Sequence, residues 1–170
     1  MKQFSLSMID DPALFKVNVL GARSDTVICD EKGCPAALSL NGMWKFHYAE
    51  NPASAVKGFE QPEMDVSGWK EIPVPSNIQM QGYDSPAYVN TQYPWDGREN
   101  LALGEAPKRF NPTAQYVTFF EVPAAWKGMG VRIRFHGVES GFALWLNGAF
   151  VGYSEDSFTP SEFDIAPYIQ

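Results

Sequence analysis

Twenty aspartates and glutamates are spread along these 170 residues, and the first question is whether any two could act together. Two carboxylates held roughly 5–10 Å apart across a pocket can carry out acid–base or nucleophilic hydrolysis. Glu155-Asp156 and Glu162…Asp164 lie close enough in sequence to be considered. Adjacent residues on a strand point to opposite faces, however, so these acids read as solvated loop residues. Asp84 sits beside an aromatic stretch and reads as a turn-former or hydrogen-bond acceptor rather than a general base. His47 and His136 fall inside strand patterns with no cysteine or nucleophilic serine motif beside them, and read as surface or satisfied residues rather than ligands. There is no Gly-x-Ser-x-Gly elbow, no His-Glu-x-x-His and no glycine-rich phosphate loop. No residue is therefore assigned a catalytic role, and none a metal-binding one. Cys29 and Cys34 flank the turn-like Asp30-Glu31-Lys32-Gly33, so a disulfide is geometrically possible. Without a nearby histidine or further cysteines they make no zinc site, and two reduced thiols are expected.

The stretch from Pro75 to Trp95 is more informative. It interleaves Asn77, Gln79, Gln81, Asn90 and Gln92 with Tyr83, Tyr88, Tyr93 and Trp95, and carries few charges. Amides hydrogen-bond hydroxyls, and flat rings pack on the C–H face of a pyranose, so this is the chemistry of neutral sugar recognition. A loop pinned by Tyr and Trp packing, its amides satisfying its own turns, has the same composition. Both readings stand at this point. The formal net charge of −7, with no run of Lys or Arg, repels phosphate backbones and argues against nucleic acid. No stretch approaches the ~20 apolar residues that span a membrane. The opening residues Met1 to Asp11 do not read as a signal peptide, which points to the cytoplasm, or to the periplasm if a leader has already been removed.

The elements that must position such a loop are strands. Leu40 to Tyr48 alternates with Trp44, Phe46 and Tyr48 on one face. Val117, Phe119 and Glu121 alternate with Tyr116, Thr118 and Phe120, and Val131, Ile133 and Phe135 with Arg132, Arg134 and His136. Phe142–Leu146 and Phe150–Tyr153 flank Asn147-Gly148-Ala149, and Asn-Gly between apolar runs predicts a hairpin because both residues tolerate positive φ. Phe163 and Ile165 begin one more run. Helical signal is confined to a turn or two at Asn51–Lys57, capped by Asn51 with Pro52 at the first position, and to Ala124–Trp126. Residues 1–38 show no sustained period and read as an extended arm that lies over another surface. Glu71–Thr113 holds six prolines and reads as one long irregular loop. The expected fold is an all-β antiparallel β-sandwich, jelly-roll-like, with that loop and arm attached.

Several ordered motifs sharpen this. Leu40-Asn41-Gly42-Met43-Trp44-Lys45-Phe46 resembles the first-strand signature of glycoside hydrolase family two. Pro73 to Asp84, followed by Pro86, Tyr88, Asn90, Tyr93 and Pro94, resembles a loop of its large β-galactosidases. Gly137–Phe142, Trp145–Gly148, Val151–Ser154 and Pro160–Asp164 are similar to the second half of the family's sandwich, and Asn18 with Ala22-Arg23 to its preceding arm. The resemblance implies a modular enzyme: a jelly-roll sugar-binding domain (here 39–170, after the arm 1–38), an immunoglobulin-like domain, then a barrel holding both catalytic glutamates. Neither glutamate matches a residue of this chain, which is expected to be inactive alone. The resemblance also implies that Tyr88-Val89-Asn90 lines the galactose subsite, with Asn90 at the family's substrate-contacting asparagine. A further substrate-contacting aspartate, and an apolar strand completing the sheet, are expected after Gln170, so that the domain is cut short there. The magnesium and sodium ligands of the family lie mainly outside this stretch, and no cofactor is expected within it. The implied partners are a β-galactoside, the remaining domains and further copies in a homo-oligomer. Two other readings remain: a lectin-like module using Tyr83, Tyr88, Tyr93 and Trp95 as a platform, and a purely structural or subunit-interface domain.

Overall fold

The computed structural model describes residues 3–23 and 37–170. Cys29 and Cys34 lie outside the described residues. Among the described residues eight strands form, β1 (Lys16–Val17), β2 (Gly42–Ala49), β3 (Lys70–Val74), β4 (Thr113–Val117), β5 (Arg132–Phe135), β6 (Phe142–Leu146), β7 (Ala149–Ser154) and β8 (Ser161–Asp164). Every pairing is antiparallel, in the orders β1-β7-β6, β3-β2-β4 and β5-β8. The helical signals shrink to single 3-10 turns, among them Pro52–Ser54 capped by Asn51, and Ala124–Trp126. The architecture is the expected all-β antiparallel sandwich.

The β6–β7 hairpin follows directly from its sequence. Asn147 and Gly148 take φ of 51° and 80°, the handedness a two-residue turn needs to match the twist of the strands it joins. Ala149 already belongs to β7, which makes the turn one residue shorter than the sequence suggested. Its neighbour β8 supplies Phe163, fully buried with Val131, Val151 and Ile165 in one core cluster. On β5, Ile133 and Phe135 pack against that cluster while Arg132 faces water. Arg134, opposite Glu162 in the β5–β8 register, approaches its carboxylate to 3.3 Å.

The arm is less detached than its lack of periodicity suggested. Val17 pairs with Tyr153 and is buried with it and Phe150. Phe4 meets Trp145 edge-on at 5.4 Å and tilts onto Tyr153 at 5.9 Å. Asn18, at φ 58°, donates from Nδ2 to the Val151 carbonyl at 2.8 Å, and the Leu20 N–H reaches Glu162 O at 2.8 Å. Residues 16–20 thus tie β7 to β8. Gly152 is the point of closest approach: a Cβ there would lie 2.6 Å from the Val17 carbonyl and would also strike the Phe163 ring. Gly152→Ala should therefore destabilise the protein by about 1–3 kcal/mol, the cost of overpacking a filled core. A lowered urea midpoint checks this; an unchanged midpoint would show that the arm yields.

Two further differences concern the other sheet. The long irregular segment begins later than expected, because Lys70–Val74 is a strand paired with β2 despite Pro73. Proline lacks a donor, and β3 tolerates it because it is an edge strand of this sheet. At the other end β4 stops at Val117, although the alternation of residues continues to Glu121. One face of β2 buries Phe46 against Tyr116 at 5.0 Å. The opposite face carries His47, whose ring lies 5.3 Å from Trp69. Phe59 then bridges Trp69 and Trp145, joining this sheet to the β6–β7 side. Gln115 is buried on β4 and satisfies both its amide groups on Val56, accepting from its N–H (2.8 Å) and donating to its carbonyl (2.9 Å).

Candidate functional site

The loop that leaves β3 is anchored at its start by ring packing. Ser76 donates its hydroxyl to the Pro73 carbonyl, and Ile78–Gln81 makes one 3-10 turn closed by Gly82 at φ 85°. The positive φ is a conformation that glycine adopts without Cβ strain. The chain then seats Tyr83 on Phe46 (4.6 Å) and Tyr48 (5.9 Å), with the Lys70 ammonium 5.7 Å above its ring. Burial, then the nearby Asp84 and Glu50 carboxylates, push the Tyr48 hydroxyl above its usual range. Asp84 sits at φ 58°, as its reading as a turn residue requires.

The far end is held by a carboxylate. Glu99 accepts backbone N–H bonds from Lys108, Arg109 and Phe110 at 2.9–3.4 Å, and these bonds, Arg109 first, hold its carboxyl below the ordinary range. The Arg98 guanidinium lies 3.6 Å over the Phe110 ring, and Asn111 N–H reaches the Glu50 carbonyl. Asp10 of the arm accepts from the Ala106 N–H at 2.9 Å. Nothing in the sequence marked Glu99 as the organiser of the loop, since its partners are main-chain groups with no residue signature.

Between these anchors the chain is bare. Tyr88 is 81% exposed, Val89 and Asn90 are exposed, and the Asn90 amide makes no hydrogen bond among the described residues. The four rings of the loop do not form a common platform. Tyr83 is packed on the sheet, and Tyr93 and Trp95 stack on each other at 4.9 Å with planes 4° apart, a pair set by Asp96 accepting from the Tyr93 N–H at 2.8 Å. Two surface depressions, of about 330 and 360 Å³, lie elsewhere, at Leu38–Trp44 with Thr118–Glu121 and at Lys45, Met64–Ser67 and Phe119. Tyr88 and Asn90 line neither.

The acids considered for catalysis are occupied with local structure. Glu155 accepts the Tyr153 hydroxyl, Asp156 accepts the N–H groups of Phe158 and Thr159, and Asp164 accepts from Ala166. Glu162 faces Arg132 and Arg134. His136 is exposed, and no group of three or more His, Cys, Asp or Glu is placed to hold a metal ion among the described residues. What the loop offers chemically is an uncommitted amide two residues from an uncommitted ring.

The sequence comparisons place these features in a family. Residues 37–170 match the model of the glycosyl hydrolases family 2 sugar-binding domain. The chain belongs to this family. A β-galactosidase of Clostridium acetobutylicum is 46% identical over 98% of this chain and 19% of its own length. One of Halalkalibacterium halodurans is 48% identical over 96% of this chain and 17% of its own length. The β-galactosidase large subunit of Leuconostoc lactis is 40% identical over 99% and 30% respectively. This family 2 domain thus spans less than a third of the length of these relatives. Its matched stretch includes the Tyr88–Asn90 apex and all strands but β1.

Proposed function

We propose that this chain is the amino-terminal sugar-binding domain, jelly-roll in connectivity, of a retaining β-galactosidase acting on terminal β-D-galactosides. The observation that carries the reading is alignment along nearly the whole chain with proteins named β-galactosidase. In the proposal the arm 1–38 precedes the domain 39–170, and the catalytic carboxylates come from a barrel elsewhere in the polypeptide, working by double displacement through a covalent glycosyl-enzyme. The domain lends one loop to that site. Asn90 hydrogen-bonds a galactose hydroxyl and Tyr88 shapes the adjacent wall, a role supported by an exposed amide and ring that fold energetics leave unused. The parent assembles as a homo-oligomer. Magnesium and sodium, implied by the family, would be held mainly by residues outside this stretch.

A free-standing lectin-like platform has less support, because three of the four rings it requires are packed on the sheet or on each other. The test is a substrate panel on the full-length polypeptide. Aryl β-galactoside should exceed the β-glucuronide and β-mannoside in kcat/KM by ~100-fold or more, since sites built to bind a particular hydroxyl discriminate strongly. Preference for either competitor overturns the assignment.

A further inference from the structure

Among the described residues, 85–92 make no hydrogen bond to the rest of the fold, so the Asn90 apex stands where its two ends put it. One end is Tyr83, packed on Phe46 and Tyr48 of β2. The other is a closed turn that begins three residues after Asn90. The Tyr93 N–H donates to Asp96, and the Tyr93 ring stacks on Trp95. The Trp95 carbonyl then accepts from the N–H groups of Arg98 (2.9 Å) and Glu99 (3.2 Å). What fastens this turn to the returning chain is Glu99. Its half-buried carboxylate takes three successive main-chain N–H groups, from Lys108 at 3.1 Å, Arg109 at 2.9 Å and Phe110 at 3.4 Å. Successive N–H groups converging on one anion make charge-assisted bonds, stronger than neutral ones. The clasped segment is itself fixed just past the end of β2. There the Asn51 side chain donates to the Arg109 carbonyl (3.3 Å), and the Asn111 N–H reaches the Glu50 carbonyl (3.2 Å). Arg98 over the Phe110 ring, and the Arg109 guanidinium on the Arg98 carbonyl, cross the same gap through exposed side chains.

We infer that Glu99 is a positioning residue for the galactoside site: its clasp on Lys108–Phe110 sets where the Asn90 amide stands, and it acts on the substrate only through Asn90. This rests on the proposed role of Asn90. A displacement of about 1 Å in a substrate-orienting group can cost on the order of a hundredfold in rate, so a slack clasp is felt at the sugar. A double-mutant cycle on the full-length protein, read as kcat/KM for an aryl β-galactoside, tests the inference. Glu99→Ala should lower kcat/KM by ~5- to 50-fold, and by no more than Asn90→Ala does. Placed in the Asn90→Ala background, the same substitution should change kcat/KM by less than about twofold, because the group it positions is already gone. Glu99→Gln keeps an acceptor oxygen for the Arg109 and Phe110 N–H groups, and should recover most of the loss. Should Glu99→Ala not fold, Glu99→Asp keeps the charge, shortens the reach by one methylene and carries the same cycle. If Asn90→Ala is damaging, three results overturn the inference and leave the proposed function standing: a neutral Glu99→Ala, losses that multiply in the double variant, or a Gln variant no better than Ala. Asn90→Ala within twofold of wild type removes the role of Asn90, and the inference with it.

Discussion

Replacing Asn90 with alanine in the full-length protein should lower kcat and kcat/KM for a β-galactoside together, by roughly five- to a hundredfold. That range corresponds to losing one hydrogen bond worth about 1–3 kcal/mol in the transition state. The domain itself gives the substitution nothing to break. Asn90 is exposed, makes no hydrogen bond among the described residues, and sits on an apex whose anchors are Tyr83 at one end and Glu99 at the other. Thermal stability should therefore hold while turnover falls. Kinetics within twofold of wild type would remove Asn90 from the site, and a large drop in melting temperature would assign it a structural role instead.

The purified chain 1–170 should hydrolyse no chromogenic β-galactoside above blank, whereas the full-length protein should. A glycosidase needs one carboxyl raised in pKa to serve as the acid and a second carboxylate across a pocket. The carboxyls displaced in this domain, Asp65, Glu99 and Asp156, all move downward, each chiefly because hydrogen bonds from nearby residues favour the charged form. That direction suits none of them to the role of the acid. Glu155 and Glu162 are engaged by Tyr153 and by Arg132 and Arg134. Among the described residues the strongly raised group is the Tyr153 hydroxyl, held up by burial and then by Glu155, inside the core rather than at a cleft. Turnover by the isolated chain would contradict both the proposed division of labour and the reading of these acids.

Where local chemistry is decisive, the fold was legible from residue types. Asn147-Gly148 forces its turn, Asn51-Pro52 caps its own, and the alternation around Ile133 and Phe135 sorts core from solvent. What escaped was fixed by partners distant in sequence. β1 is two residues long and exists because Tyr153 and Ser154 pair with it. β3 was hidden by Pro73, which an edge position accommodates, and β4 ends early although its own residues would allow four more. The site shows the same division. Composition pointed to the Pro75–Trp95 stretch, but four aromatic residues look alike in sequence. Only packing separates Tyr83, spent on Phe46, and the mutually stacked Tyr93 and Trp95 from the free Tyr88.

The central claim is that this domain hands its loop to a galactose subsite, and a structure of the full-length protein holding an unhydrolysed galactoside analogue tests it most directly. The account predicts the Asn90 side-chain amide at hydrogen-bond distance, about 2.7–3.2 Å, from a hydroxyl of the bound sugar. A sugar seated in the catalytic site with Asn90 and Tyr88 out of contact with it would contradict the account.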